Sequence, residues 1–401
     1  MRHGLATVAV GLILAGCGGP GAQAGVSPSS QSPSPPQTPT AGSVSPSPSV
    51  PPWAALGATC SGAPAAHEAL AVIQGSSATV LADVSDPVNP QTLCTLAGAW
   101  QSQLVTQTMI SWSATMGSSG TAGASVIATL NLFSGTSTVR AQWTGGGLMD
   151  GLHAWNADES ALAYLTSDSN AVKLHLLQGG ADRVVASLGP VPPGRPQNPN
   201  EDYAYLAFSA DGKYFALVQT YTASGDELQV RNAADGSLVY SQAQGTMATW
   251  ESVGSRLWFR RPQKSEMDSW DPSFGVTIQA TNVALHWIAP RADAGANYIA
   301  FWFRDLTSGD SAPPIGTPHT YLWAPPSPGG PFNEPHSLRS SPIFLNSSTL
   351  FYLEEASCAP DCGSGPPTRP DGYTFIYVIG GGETRSTMTA VLGSWPRVGQ
   401  T

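Results

Sequence analysis

Charge is what this chain has least of. Only 11% of its 401 residues are Asp, Glu, Lys or Arg, less than half the roughly 25% usual in soluble proteins. Just three of these are lysines: Lys173, Lys213 and Lys264. So few solvating side chains exclude long exposed helices, and beyond the first residues no stretch carries apolar residues at i, i+3, i+4 and i+7. No basic run is present to neutralise a phosphate backbone, which excludes nucleic acid as a partner. The formal net charge of −10 favours solubility and names no ligand. A Gly-x-Ser-x-Gly elbow, a phosphate loop and a dinucleotide fingerprint are also missing, so the usual serine-hydrolase and nucleotide chemistries find no support.

What the chain does contain is concentrated first at its N-terminus. Arg2 precedes Leu5–Leu14, an uncharged apolar run ending in Leu14-Ala15-Gly16-Cys17. The run is too short to span a bilayer and has the length of a signal-peptide core. Small residues before a cysteine resemble the bacterial lipobox. That resemblance implies cleavage between Gly16 and Cys17 and a diacylglycerol thioether on Cys17, placing the protein outside the cytoplasm and anchored to the cell membrane. With each buried CH₂ contributing about 0.8 kcal/mol, two or three acyl chains would hold it durably. Residues 17–52 then form a tether rich in Ser, Thr and Pro, with Ser32-Pro33, Ser34-Pro35-Pro36, Ser45-Pro46 and Ser47-Pro48. Such a segment buries too little surface to offset its ordering entropy and is expected to be disordered and semi-stiff.

Cysteine usage agrees with export. Five are present, and assigning Cys17 to lipid leaves Cys60, Cys94, Cys358 and Cys362, an even set that reads as two disulfides. Of the three connectivities, Cys60–Cys94 with Cys358–Cys362 is preferred; the other two would staple the first unit of the body to the last. No second close cysteine pair or nearby histidine completes a tetrahedral site beside Cys358 and Cys362, so no metal is expected, and no cofactor either.

Residues 53–401 repeat a pattern. An apolar strand ends in Trp or Phe, a polar turn follows, and a second apolar strand comes next. Tyr205-Leu-Ala-Phe208-Ser-Ala-Asp211-Gly212-Lys213-Tyr214-Phe-Ala-Leu-Val218 is the clearest copy, and Leu152-His-Ala-Trp155, Met247-Ala-Thr-Trp250, Ala284-Leu-His-Trp287 and Ser341-Pro-Ile-Phe344 open others. Ile110-Ser-Trp112 is weaker. A period of roughly 40 to 50 residues marks propellers with four short strands per blade. Phe208-Ser-Ala-Asp-Gly-Lys resembles the turn of TolB-like, WD-related propeller repeats, with Ala210 in place of the usual Pro. Ala82-Asp-Val-Ser-Asp-Pro-Val-Asn-Pro90 resembles other bacterial propeller repeats. The resemblance implies an all-β fold, a single propeller, and no particular activity. Unit starts near 67, 104, 150, 203, 246, 283 and 338 give seven blades, with six and eight as the neighbouring counts.

Candidate functional residues are sparse. His153 and His286 precede Trp155 and Trp287 at matching repeat positions and read as structural histidines. Glu354-Glu355 and Glu201-Asp202 could serve as acid and base in a glycosidase, which needs two carboxyls about 5 to 9 Å apart; strand-end solvation is the plainer reading. Three stretches, 189–202, 262–275 and 307–336, read as inserted loops at one end of a central channel. The last carries His319, Tyr321 and Trp323, and Trp270 sits in the second. These are the candidate binding residues, since an exposed Trp stacks on a sugar or anchors a protein. The expected function is a non-catalytic, monomeric, membrane-anchored binding protein for envelope proteins or cell-wall glycan. The competing class is an extracellular polysaccharide-active enzyme.

Overall fold

The computed structural model divides into Met1–Ser49 and Val50–Thr401. It describes residues 58–60, 70–74, 78–106, 108–116, 124–144, 151–167, 171–188, 205–222, 225–261, 266–280, 288–294, 298–304, 318–324, 336–337, 339–345, 347–357 and 368–389, all in the second unit. The signal segment, Cys17, the tether, Cys358 and Cys362 therefore lie outside the described residues, as do His286 and Glu201-Asp202.

The described residues form 28 strands in seven antiparallel sheets of four. Sheet 1 is β1 (Ala58–Cys60), β2 (Leu70–Gln74), β3 (Ala78–Asp83) and β4 (Gln91–Ala97). Sheet 2 is β5 (Trp100–Thr106), β6 (Met109–Met116), β7 (Ala124–Asn131) and β8 (Ser137–Thr144). Sheet 3 is β9 (His153–Trp155), β10 (Ala161–Ser167), β11 (Val172–Gln178) and β12 (Ala181–Ser187). Sheet 4 is β13 (Tyr205–Phe208), β14 (Tyr214–Thr222), β15 (Gly225–Asn232) and β16 (Leu238–Ala243). Sheet 5 is β17 (Thr246–Trp250), β18 (Leu257–Arg261), β19 (Glu266–Asp271) and β20 (Gly275–Ala280). Sheet 6 is β21 (Ile288–Ala294), β22 (Ile299–Arg304), β23 (Pro318–Trp323) and β24 (His336–Ser337). Sheet 7 is β25 (Arg339–Phe344), β26 (Thr349–Ser357), β27 (Thr368–Val378) and β28 (Gly382–Thr389). Sheets 2 to 7 are simple meanders, whereas sheet 1 runs β1-β4-β3-β2 and takes its edge strand from the N-terminal side.

Burial explains this arrangement. In sheet 3, β10 is buried along its whole length, while β12 is exposed at five of seven positions. A strand buried on both faces must lie between neighbouring sheets, and an exposed one must lie at a rim. Each four-stranded sheet is too small to cover itself, so it packs on the next. Leu81 and Cys94 meet Trp112 and Val126 between sheets 1 and 2, and Ile127 and Ala141 meet Leu162 and Tyr164 between sheets 2 and 3. Leu165 and Leu174 meet Phe208 and Leu217 next, then Val218 and Val230 meet Trp250 and Phe259. Ala300 and Leu322 of sheet 6 meet Leu350 and Tyr352 of sheet 7. Sheet 7 returns to sheet 1, where Phe351 and Ile376 pack on Ala71, Ala82 and Val84. This is a β-propeller.

The Asp-Val-Ser-Asp-Pro segment has its explanation at that last contact. Asp83 accepts from Ser85 N (2.8 Å) and Asp86 from Val88 N (3.0 Å), folding the segment into a tight connection between β3 and β4. The connection then accepts bonds from sheet 7: Ser386 Oγ donates to Pro87 O (3.0 Å) and Thr387 N to Val88 O (2.8 Å).

Two details differ from the sequence reading. Trp112 lies on β6, the second strand of its sheet, whereas Trp155, Phe208, Trp250 and Phe344 end first strands. Both kinds of position are aromatic residues in short apolar strands, so the pattern alone could not separate them. Stretch 307–336 is also not one loop: it contains all of β23, and 262–275 contains all of β19.

Candidate functional site

Five of the sheets show where their turns lie. Leu132 N donates to Thr108 O, Ala233 N to Lys213 O and Ile379 N to Ser348 O, so the first and third turns of sheets 2, 4 and 7 share an end. Turns of neighbouring sheets also interlock. Thr106 Oγ1 donates to Glu159 Oε1 (2.8 Å), and Asp211 N donates to Gly254 O (3.3 Å). Gly212 lies against Asn156 at φ +69°, a backbone conformation that favours glycine. Glu159 adopts φ +62° without that freedom, and its carboxylate bond to Thr106 holds it there. The Asp-Gly turn is thus a brace between blades.

This end is acidic. Asp158 and Asp235 are held below the usual carboxylate range by hydrogen bonds from Ser160 and Ser237 respectively. Asp211 is lowered too: burial works against its charge, but hydrogen bonds, those from Ser209 Oγ and Lys213 N among them, outweigh it. Alternation along antiparallel strands sends the connections 117–123, 188–204, 262–265, 305–317 and 358–367 out of the opposite end. Of the three expected loops, 189–202 leaves there, 262–275 contributes only its first residues there because β19 fills much of the rest, and 307–336 is divided by β23, so that its first part leaves there and 324–335 leaves from the turn end.

The candidate binding residues separate. His319, Tyr321 and Trp323 are strand residues of β23, opposite Phe303, Phe301 and Ile299 in register. Trp270 is not an exposed loop residue: it is 4% exposed on β19, stacked on Tyr240 at 6.0 Å and edge-on to Tyr214 at 5.4 Å. Its position after Met267-Asp-Ser reads as a polar loop in sequence, but Asp268 and Ser269 are themselves buried. Glu354 faces Arg339 at 3.5 Å, an ion pair inside sheet 7.

Polar chemistry in the described residues is gathered in the seams between sheets. His153 is buried between sheets 2 and 3. Its Nδ1 lies 2.8 Å from Gly151 O and must donate, which leaves Nε2 to accept from Ser111 Oγ at 2.9 Å. Trp155 Nε1 donates to the same Ser111 Oγ (3.0 Å), and Ser113 Oγ donates to Gly151 O (2.6 Å). The repeat histidine is therefore a strut, as its position suggested. Burial pushes its pKa from 6.5 to about 4, against the opposing effect of the Gly151 bond.

A pH dependence follows. Between pH 6.5 and 4 the unfolded chain takes up a proton that the folded chain refuses, so this stability is complete above pH 6.5 and is lost as pH falls. At about 1.4 kcal/mol per pKa unit the loss is on the order of 3 kcal/mol. Melting curves of wild type and His153→Gln across this range check it: the variant should be less stable at pH 7 and show a flatter acid limb.

Further out, Thr166 Oγ1, His175 Nε2 (2.9 Å), His175 Nδ1 and Asp182 (3.3 Å) form a hydroxyl–imidazole–carboxylate row. Thr166 is only 8% exposed, and the Tyr164 ring covers the imidazole at 4.6 Å while its hydroxyl donates to Asp182 (2.7 Å). Burial first, and Asp182 second, raise the Tyr164 pKa well above its usual value. The row braces three strands.

The class defined by these sheets and seams is the β-propeller, and known structures agree at the level of fold. A prolyl endopeptidase matches 84% of this chain with 53% of its own, at 10% identity and a TM-score of 0.53. The tricorn protease matches 83% with 34% of its own, at 8% identity and a TM-score of 0.52. TolB from Acinetobacter baumannii matches 67% with 63% of its own, at 14% identity and a TM-score of 0.41. The chain thus spans about half of the endopeptidase and a third of the tricorn protease. No protein-family model and no curated protein matches the chain.

Proposed function

We propose that the chain is a non-catalytic binding propeller of seven blades, held outside a bacterial cell by lipid on Cys17. Its partners are envelope proteins or cell-wall glycan. The observation that carries the binding role is the asymmetry of the two ends. At one end the described turns are short and interlocked, although 324–335 also leaves there, and the other end sends out 188–204, 305–317 and 358–367. Connections this long on a rigid scaffold are uncommon unless they serve a function. The blade count is supported by the seven sheets and by the packing of sheet 7 on sheet 1. The Cys60–Cys94 disulfide suits an oxidising compartment.

Two experiments test this. Cys17→Ala should abolish lipid labelling and leave unprocessed precursor; a processed, lipid-labelled variant would contradict the anchor. Replacing 306–316 by a short Gly-Ser link leaves β22 and β23 intact, and loop length affects stability only weakly. That variant should melt like wild type but lose the partner that in-cell cross-linking recovers with the intact chain. A partner retained in full would remove the connection end from the proposal.

A further inference from the structure

Sheet 1 is assembled differently from the other six. In sheets 3 to 7 the first strands stand side by side: β9 beside β13, β13 beside β17, β17 beside β21 and β21 beside β25. β2 meets β5 as well, but so do second strands elsewhere, since β14 meets β17 and β22 meets β25. Direction decides which kind of strand β2 is. Thr79, near the start of β3, donates through Oγ1 to Ala99 O (3.3 Å), one residue before β5 begins. β3 therefore starts at the end where β5 starts. Its far end, at Val84, packs with Leu345, just past the end of the first strand β25. In an antiparallel meander only first and third strands run that way.

Turn chemistry identifies β3 as a third strand. The third strands β7, β15 and β19 end in Asn131, Asn232 and Asp271. The Oδ1 atom of each accepts from the amide two residues on: Phe133 N (2.9 Å), Ala234 N (2.9 Å) and Ser273 N (2.8 Å). β3 ends in Asp83, which accepts from Ser85 N in the same way (2.8 Å). The strand after it, β4, passes into β5 across Gly98 and Ala99 alone, just as the fourth strand β16 passes into β17 across Gln244 and Gly245. β2, β3 and β4 thus fill the second, third and fourth places, and β1 lies outside the fourth. Among the described residues no strand occupies the first place. Yet Leu70 (1% exposed), Ala71 (1%) and Val72 (0%) of β2 are buried, and the backbone of a buried strand needs hydrogen-bond partners on both sides.

We propose that residues 391–395 supply the first strand of sheet 1, pairing with the edge of β2 away from β3, and so close the ring. Residues 390–401 lie outside the described residues; the path of the chain and their sequence point to them. Elsewhere a fourth strand leads into the first strand of the next sheet, and sheet 7 packs on sheet 1. β28 is the fourth strand of sheet 7, and before it ends at Thr389, Thr387 N donates to Val88 O in the β3–β4 connection (2.8 Å). Val391-Leu-Gly-Ser-Trp395-Pro396 then follows, an uncharged stretch that reaches a Trp, as the first strands ending in Trp155 and Trp250 do. The spacing agrees. Trp250 stands seven residues past the end of β16, Phe344 seven past the end of β24, and Trp395 six past the end of β28. Trp155, Trp250 and Phe344 lie opposite Leu162, Leu257 and Leu350 near the start of their second strands. The same register sets Trp395 opposite Leu70 and Ser394 opposite Ala71. Closure of the scaffold in this way is independent of what the connection end binds.

In the full chain, Ala71→Cys combined with Ser394→Cys should form a disulfide within one molecule during folding, mapped by mass spectrometry, because directly opposite residues of an antiparallel pair share a face and have close Cβ atoms. Ala71→Cys combined with Gly393→Cys should give roughly tenfold less, since successive residues of a strand point to opposite faces. Ending the chain at Thr389 should lower the melting temperature by about 10 °C or more, the scale of loss when a buried strand and its Trp are removed. A peptide of residues 390–397 should bind the full chain no better than its scrambled form. Equal cross-linking of the two cysteine pairs, no cross-link in either, or an unchanged melting temperature of the shortened chain overturns the proposal. So does a bond formed only between two molecules, or specific binding of the peptide, because either shows that the edge of β2 is left for another chain.

Discussion

Trp250→Ala is expected to destabilise the propeller by about 3 to 5 kcal/mol, the range for removing a buried Trp. The indole is 1% exposed and lies in the seam between sheets 4 and 5. Its Nε1 donates to Ala207 O (2.9 Å) on β13, and its main-chain N donates to Tyr205 Oη (3.1 Å) on the same strand. Its ring meets Trp270 edge-on at 6.3 Å. Truncation therefore opens a cavity between two blades and strands the Ala207 carbonyl in a dry seam, two costs that add. Trp250→Phe should cost much less, since the ring volume mostly remains and chiefly one hydrogen bond is lost, worth about 1 kcal/mol. Melting temperature should fall on the order of 10 °C for the alanine variant. Equal loss in the two variants would mean that the hydrogen bond, not the packing, holds the seam.

The repeat anchors were legible because their physics is local. An aromatic at the end of a short strand, followed by a Ser-x-Asp-Gly turn, states both burial and reversal of direction within six residues. The expected unit starts near 104, 150, 203, 246, 283 and 338 accordingly fall close to Trp100, His153, Tyr205, Thr246, Ile288 and Arg339, where the first strands of sheets 2 to 7 begin, and the start near 67 falls close to Leu70, where β2 of sheet 1 begins. Sheet 1 was harder. Its edge strand β1 precedes β2 in sequence but pairs with β4, and no local pattern records a pairing across that distance. The loops were hard for the opposite reason. Proline and glycine around 307–336 outweighed the Thr-Tyr-Leu-Trp run of β23, and Asp268 and Ser269 made β19 look solvated. A buried carboxylate such as Asp268 is tolerable only beside a cation, and its partner Arg261 comes from the preceding strand.

The candidate site was less legible than the fold, and the seams show why. Thr166, His175 and Asp182 lie on three different strands, and Ser111 on β6 bonds to His153 and Trp155 on β9 across two sheets. The sequence could nominate His153 as structural only because it recurs beside a Trp.

Removing the Cys60–Cys94 bond with Cys60→Ala and Cys94→Ala should cost about 3.5 to 4 kcal/mol by the chain-entropy estimate, since the bond closes a loop with a sequence separation of 34. The fold concentrates that effect. β1 has three residues, Ala58 opposite Leu96, Thr59 opposite Thr95 and Cys60 opposite Cys94, and Thr59 and Cys60 are exposed. Three residues of edge pairing do not hold themselves in place, because the entropy of fixing each is about 1 to 2 kcal/mol while a net hydrogen bond returns about 1. Without the bond β1 should detach and leave β4 as a bare edge. Two measurements separate the consequences. Hydrogen exchange at Thr95 and neighbouring β4 amides should accelerate if β1 peels away, and the melting temperature should fall by several degrees if the bond also restrains the unfolded chain. Faster exchange with an unchanged melting temperature would confine the bond's role to the edge. No change in either would show that β1 is held by contacts other than the disulfide.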